Sequence, residues 1–290
     1  MIDGAVCIDG EVVPAREARV SVFDRSFLYG DSVFEVMRAY AGHVFRQSEH
    51  LARLRASCER VLIPLPGDER TLASQVERTI AASGLHDCYL RVMVCRGGTP
   101  VTLQIEPTAA ASVLVFALPL REPPAEHYER GVAAGLYHAV PPGAGTRAAG
   151  AKTSNYLVSM LALHDVRQRG CQEALLVNGL GEVVEGASSN LFVVRDGTLL
   201  TPPSASGILL GITRRVVLEL ADALGLGWRE ALLYPSDLYR AHEVFITSSV
   251  REVVPVVRVD DVGVGDGRPG SVTRRLHAAY GAEVSRSRRA

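Results

Sequence analysis

Apolar and polar positions alternate with period two at the start of the chain, which predicts strands. Residues 6–13 read as a hairpin closing on Asp9-Gly10, a dipeptide suited to the positive φ of a tight turn. Residues 32–40 predict a strand, with Phe34, Val36 and Arg38 on one face and Val33, Glu35 and Met37 on the other. The period then changes. Leu51, Leu54, Cys58 and Val61 recur at helical spacing, with Ser48 as candidate N-cap. Residues 89–95 return to strand and stop at Arg96-Gly97-Gly98-Thr99-Pro100. Residues 112–118 are almost continuously apolar, as in a strand buried on both faces.

The Pro- and charge-rich run Pro119-Leu120-Arg121-Glu122-Pro123-Pro124 marks a boundary. It divides a small N-terminal α/β domain, residues 1–118, from a larger C-terminal domain, residues 131–290, through a linker at 119–130. A second loop, Pro141-Pro142-Gly143-Ala144-Gly145, leads up to Lys152. Residues 156–169 predict a helix ended by Gly170, and residues 212–224 another ended by Gly225. Between them, strands at 173–178, 182–185 and 190–194 are separated by glycine-containing turns. The basic tail, residues 285–290, is expected to be disordered. Helices and strands are mixed throughout, so the fold class is α/β (α+β).

Composition narrows the function. The 290 residues are 47% hydrophobic and 22% charged, enough for a substantial core, and the formal net charge is −1. No basic field attracts nucleic acid or an anionic membrane, so the expected partners are small molecules and other copies of the chain. Met1-Ile2-Asp3-Gly4 lacks the features of a signal peptide, and no apolar run approaches the roughly 20 residues of a membrane span. A cytoplasmic protein is expected. The five cysteines are scattered without a CxxC pair, against a disulfide framework or a thiolate zinc site. The eight histidines show no HExxH spacing, so no metal is expected.

One feature of composition carries chemistry. Of 31 lysines and arginines a single one, Lys152, is lysine. Arginine replaces lysine wherever only a cation is wanted, but its guanidinium cannot form an imine, whereas a desolvated lysine amine can. Glu185 opens the segment Glu185-Gly186-Ala187-Ser188-Ser189-Asn190, whose small residues let backbone approach a ligand. Gly211-Ile212-Thr213-Arg214 begins a helix, where N–H groups and the dipole favour phosphate. Arg53 lies off its helix's apolar stripe, able to fork a phosphate. An amine, a carboxylate for a pyridine nitrogen and donors for a phosphate dianion are what a pyridoxal 5'-phosphate site requires. Each residue also has an ordinary explanation: a solvated strand-end Glu, a surface Arg, a cap threonine, a turn serine, core aromatics at Tyr29 and Phe34. Gly265-Asp266-Gly267-Arg268-Pro269-Gly270 fits the dinucleotide pattern GxGxxG but has no following strand, and reads as a turn before the last helix.

From about residue 6 to residue 280 the chain resembles the class IV (fold-type IV) aminotransferases. The markers occur in order: Tyr29-Gly30-Asp31-Ser32-Val33-Phe34-Glu35, the Arg53 helix, Lys152, the Glu185 segment, Gly211-Ile212-Thr213, and Phe245-Ile246-Thr247-Ser248-Ser249 before Val253-Val254-Pro255-Val256. The resemblance implies a small N-terminal α/β domain and a larger C-terminal domain with barrel-like β-structure, with the cofactor between them. It implies that Lys152 holds pyridoxal 5'-phosphate as a Schiff base and shuttles the proton, and that Glu185 pairs with the pyridine nitrogen. Arg53, Ile212, Thr213 and Ser249 would hold the phosphate, and Leu209 would pack on the ring. Ser189, Asn190, Gly211 and Ser248 complete the cofactor set. Tyr156 would bond the phenolic oxygen, although it stands one residue closer to the lysine than in typical branched-chain enzymes. The family builds each pocket with a neighbouring subunit, so a homodimer or higher oligomer is expected.

For substrate, Tyr89-Leu90-Arg91 puts Tyr89 and Arg91 on one strand face. That pattern and Phe34 resemble the branched-chain branch, whose substrate carboxylate is held partly by backbone N–H groups at a turn matching Ser249-Val250. Val101 and Leu103 stand where D-amino acid enzymes place Arg and His, and Val36 stands where branched-chain enzymes usually have Gly. The substrate set is Tyr29, Phe34, Val36, Tyr89, Arg91, Ser249 and Val250. The expected reaction is transfer of an amino group from a branched-chain-type L-amino acid to a 2-oxo acid such as 2-oxoglutarate. The alternatives are a D-amino acid aminotransferase, an aminodeoxychorismate lyase and, from another class, a nicotinamide-dependent oxidoreductase.

Overall fold

The computed structural model describes residues 3–98, 101–105, 110–140, 143 and 145–289. The chain divides into two compact units, one of Met1–Arg121 with Ala151–Asn155, the other of Glu122–Gly150 with Tyr156–Ala290.

In the first unit the elements run β1 (Ala5–Ile8), β2 (Glu11–Pro14), α1 (Arg25–Tyr29), β3 (Ser32–Tyr40), β4 (His43–Val44), α2 (Gln47–Arg60), α3 (Glu69–Ser83), β5 (Cys88–Cys95) and β6 (Ser112–Pro119). The strands form an antiparallel sheet in the order β2-β1-β6-β5-β3-β4. The predicted hairpin pairs Val6 with Val13 around Asp9 and Gly10, both at positive φ. Strand β3 covers the predicted residues, and its alternation sorts the faces. Val33, Met37 and Ala39 join Leu90, Val92, Val94, Val113 and Val115 in a core with Leu51, Leu54 and Cys58 of α2 and Leu72 and Val76 of α3. The helix cap departs from expectation. Ser48 lies within α2; the cap is Arg46, at φ 54° with no side-chain cap bond, and its guanidinium turns to Glu49 instead.

The second unit contains α4 (Glu126–Glu129), β7 (Val132–His138), α5 (Leu157–Gln168), β8 (Glu173–Val177), β9 (Val183–Gly186), β10 (Asn190–Arg195), β11 (Thr198–Thr201), α6 (Ile212–Ala223), β12 (Trp228–Glu230), α7 (Pro235–Tyr239), β13 (Glu243–Ser248), β14 (Glu252–Val259), β15 (Val262–Gly263) and α8 (Ser271–Ser287). Its sheet runs β12-β11-β10-β13-β14-β7-β8-β9, with β15 on β14. Strands β9 and β10 have β13, β14, β7 and β8 between them, yet residues 187–189 alone join them, with Gly186 N–H donating to Ser189 O at 2.7 Å. Laid flat, five strand spacings measure roughly 24 Å, and so short a link reaches at most about 14 Å. The sheet therefore curls into a half-barrel. Strand β8 is buried on both faces: Leu175 and Val177 join a core with Val193, Ile246 and Val256, while Ala174 and Leu176 pack with Ala162 and Val166 of α5.

Three sequence expectations differ from the structure. The segment Ala151–Asn155, with Lys152, belongs to the first unit rather than to the larger C-terminal part, because it pairs with β3. The expected linker begins inside β6 and contains α4. Of the tail expected to be disordered, Ser285, Arg286 and Ser287 continue α8, whose buried face ends on Val284. Pro141, Pro142 and Ala144 of the loop preceding Lys152 lie outside the described residues.

Candidate active site

Lys152 lies in an extended segment laid along the edge of β3 that β4 leaves open. Thr153 bridges Val33, Phe34 N–H donates to Lys152 O at 2.9 Å, and Ser154 N–H donates to Ser32 O at 3.1 Å. Ser32 Oγ donates to Ser154 Oγ at 2.7 Å. On the other side Lys152 N–H donates to Ser57 Oγ of α2 at 3.2 Å. The lysine backbone is thus tied to both strand and helix, with Nζ 4.8 Å from the Phe34 ring centroid.

On the helix-covered face of β3, Glu35 is wholly buried and held by α2. Arg53 donates Nε to Oε1 and Nη2 to Oε2, both at 2.7 Å, and His50 Nδ1 lies 2.8 Å from Oε2. Burial by itself would raise the Glu35 pKa. The Arg53 charge and hydrogen bonds, joined by His50, outweigh it and hold the group at about 2. Because Glu35 is ionised, the His50 Nδ1 proton is the donor. Burial pushes His50 below its ordinary value; Glu35 opposes this, while the charges of Arg53 and Lys152 add to it. The Nε/Nη2 edge of Arg53 is therefore committed to Glu35.

The opposite face of the sheet carries the expected substrate residues. Across β3 and β5, Phe34 faces Met93, Val36 faces Arg91 and Arg38 faces Tyr89. The Arg91 guanidinium stands 3.7 Å from the Phe34 centroid, and its buried Nε has no hydrogen-bond partner among the described residues. Tyr29 ends α1, its ring 5.2 Å from the Arg25 guanidinium. Arg25 and Arg96 converge on Asp31 at 2.8 and 2.7 Å, and Arg25 Nη1 also donates to Thr102 O at 2.5 Å. Val101 and Leu103 are 67% and 81% exposed, while Thr99 and Pro100 lie outside the described residues.

In the second unit Glu185 lies next to last in β9 and Asn190 begins β10, and together they grip Leu209. Leu209 N–H donates to Glu185 Oε2 at 3.1 Å, and Asn190 Nδ2 donates to Leu209 O at 2.7 Å. Gly211 precedes α6 with no side-chain cap on the helix, and a Cβ there would meet Asn190 Oδ1 at 2.0 Å. Ile212 and Thr213 form the buried first turn, a place where backbone N–H groups and the helix dipole favour an anion. Thr247, directly across from Asn190, is buried with no hydrogen-bond partner for Oγ1 among the described residues. Ser248 ends β13, followed by a turn through Ser249 and Val250. Tyr156 caps α5, half-buried. Ser189 Oγ, of the expected cofactor set, donates to the buried Glu173 at 3.1 Å.

Sequence reasoning did not single out Glu35 and His50, Glu173 and Arg251, or Thr247. For His50 a signal existed: it stands three residues before Arg53 on α2, so the two share a helix face. For the Arg251–Glu173 pair none did, since these residues meet only in the folded sheet.

The family profile described as Amino-transferase class IV matches residues 32–259. A putative branched-chain-amino-acid aminotransferase of Methanocaldococcus jannaschii is 36% identical over 275 residues, covering 95% of this chain and 94% of the relative. A D-alanine aminotransferase of Bacillus licheniformis is 32% identical, covering 94% and 95%. Among solved structures, the branched-chain amino acid aminotransferase of Escherichia coli superposes with a TM-score of 0.91 at 34% identity, over 97% of this chain and 94% of that one. A branched-chain amino acid aminotransferase from T.th., solved with pyridoxamine 5'-phosphate, gives 0.89 at 32% identity, over 97% and 94%.

Proposed function

The chain belongs to the class IV aminotransferases, and from that premise we propose that it uses pyridoxal 5'-phosphate to move an amino group from a branched-chain-type L-amino acid to a 2-oxo acid such as 2-oxoglutarate. The observation that carries the reading is Lys152: the sole lysine, held by backbone bonds to both β3 and α2. Two features support the fit of the cofactor. At Gly211 the backbone packs so closely on Asn190 that a Cβ would meet its Oδ1 at 2.0 Å, and the helix that starts there has no side-chain cap over its first N–H groups. The buried Thr247 hydroxyl stands without a partner among the described residues, one residue before Ser248. When bound, the cofactor's protonated ring supplies the electron sink for loss of the substrate α-proton.

The chain's own residues do the rest. Lys152 Nζ would hold the cofactor and, when released, would serve as general base and acid for the substrate's α-proton. Glu185 keeps the pyridine nitrogen protonated, with the Leu209 N–H fixing one carboxylate oxygen. Leu209, held in place by Asn190, would pack on the ring. The α6 N-terminus with Gly211, Ile212 and Thr213, and Ser248 and Ser249, would hold the phosphate, and Arg53 would add its charge. Tyr156 donates to the phenolic oxygen. Tyr29, Phe34, Val36, Tyr89 and Arg91 form the side-chain pocket, and the backbone at Ser249 and Val250 takes the substrate carboxylate. The branched-chain relatives support the L-series substrate, as do the apolar side chains at Val101 and Leu103. The D-alanine relative makes the D-amino acid enzyme the second reading.

The reading extends to a second copy of the chain. Val20, Val22, Phe23, Phe27 and Leu28 are exposed and adjoin exposed Val101 and Leu103 through the Asp24–Gly98 bridge and the Arg25–Thr102 bond. An apolar patch of this kind supports a homo-oligomer. Among the described residues no helix is long and apolar enough to cross a membrane. Five free, buried cysteines suit a reducing compartment, and we place the enzyme in the cytoplasm.

The test is the visible spectrum of the purified protein during addition of L-leucine, then of D-alanine, without acceptor. Bleaching by L-leucine alone is expected, and Lys152→Arg should abolish it. Bleaching by D-alanine alone moves the assignment to the D-series, and full turnover by Lys152→Arg overturns the mechanism.

A further inference from the structure

We propose that Arg251 is a positioning residue: with the buried carboxylate of Glu173 it locks the turn after Glu185 to the turn that carries Ser248 and Ser249. The inference rests on the functional reading above, which assigns cofactor contacts to both turns. Asn190 faces Thr247 in the β10–β13 pairing, so the two turns stand side by side at one end of the half-barrel. One guanidinium spans them. Arg251 Nη2 lies 2.5 Å from Glu173 Oε2 and 3.0 Å from Ser188 Oγ, and Nε lies 3.3 Å from Ser248 Oγ. Ser189 Oγ donates to the same Glu173 oxygen at 3.1 Å, which draws the first turn onto the pair from its other side. The second turn is anchored again through its backbone, where Tyr128 Oη donates to Arg251 O at 3.1 Å. Residue 252, next in the chain, adopts φ 58°, a left-handed conformation that a glutamate holds only where its surroundings impose it.

A simple ion pair would need only the Arg251–Glu173 contact. The additional bonds to Ser188 and Ser248 use the fan of donors that only a guanidinium presents, so lysine is a poor substitute. Glu173 is wholly buried at the start of β8, a fixed post in the sheet, whereas Ser188 of the first turn is exposed and residues 249–251 of the second are half-buried. Without the clamp, the carboxylate of Glu185 and the serine hydroxyls of the second turn lose their fixed spacing.

The experiment compares the wild type with Arg251→Lys and with the double variant Arg251→Met/Glu173→Gln, which removes both charges and leaves no buried ion unpaired. Hydrogen exchange is measured on the cofactor-free proteins, and pyridoxal phosphate is then titrated into each. In the double variant, exchange in residues 186–190 and 248–252 should quicken while the rest of the sheet keeps its protection. The dissociation constant for pyridoxal phosphate should rise about tenfold, the usual effect of losing a charged hydrogen-bonding support. Arg251→Lys, which keeps Glu173 paired, should show the same loosening at smaller amplitude. Wild-type exchange in both turns of either variant, with unchanged cofactor affinity, overturns the clamp. Wild-type protein that binds no pyridoxal phosphate overturns the functional reading instead.

Discussion

Glu35 shows how a wholly buried side chain is kept ionised by its neighbours. Its carboxylate is ionised because Arg53 and His50 complete its hydrogen bonds, and the same bonds fix the α2 side chains facing it. The folded-state pKa of about 2 lies below the ordinary 4.5, so the unfolded chain takes up the proton first as pH falls. The stabilisation is complete above about pH 4.5 and is lost as pH falls through 2; the shift corresponds to about 3 kcal/mol. Glu35→Gln should lower stability near neutral pH by that order and flatten the acid limb between about pH 5 and 2. Urea denaturation across that range measures it, and an acid limb like that of the wild type would contradict the assignment. His50 acts in the same direction at higher pH. Its lowered pKa means that the unfolded chain binds a proton the folded protein refuses, so stability begins to fall as pH drops below its ordinary value of 6.5.

At the scale of elements, a helix end can be fixed by a residue remote in sequence rather than by a local cap. Helix α8 starts after Gly270 with no cap from that residue. Glu243, at the start of β13, supplies the acceptors: Val272 N–H and Thr273 N–H donate to it at 2.9 and 2.8 Å, and Thr273 Oγ1 at 2.7 Å. The carboxylate presses so close that a Cβ on Gly270 would fall 1.9 Å from Glu243 Cδ, which explains the final glycine of the GxGxxG-like run without any nucleotide. Glu243→Ala should cost about 1–2 kcal/mol, the worth of a cap reinforced by the helix dipole. A fall in the melting temperature with α8 amides exchanging faster than the sheet is the expected signature, and an unchanged melt would refute it. Lys152 belongs to this scale too: pairing along β3, and no local signal, carries its segment into the first unit.

For the whole molecule, the patch around Phe23 and Phe27, 61% and 67% exposed, predicts association. Phe27→Asp should lower the mass seen by light scattering towards that of a single chain, and a mass unchanged from wild type would remove the patch from the interface. Much of this architecture was legible in the residues themselves. Period-two alternation fixed β3 and β5 and sorted Phe34, Val36, Tyr89 and Arg91 onto one face, because a strand side is decided by parity alone. The single lysine and the ordered motifs around Glu185 and Gly211 pointed to the family and to the chemistry proposed above, because few residue types perform it. Distance decided what remained. The half-barrel follows from a strand order that no local pattern encodes, and Arg251 meets Glu173 only once that order exists. The pairing of Arg53 with Glu35 was likewise not legible, because a buried carboxylate finds its counter-charge among whatever the fold brings near.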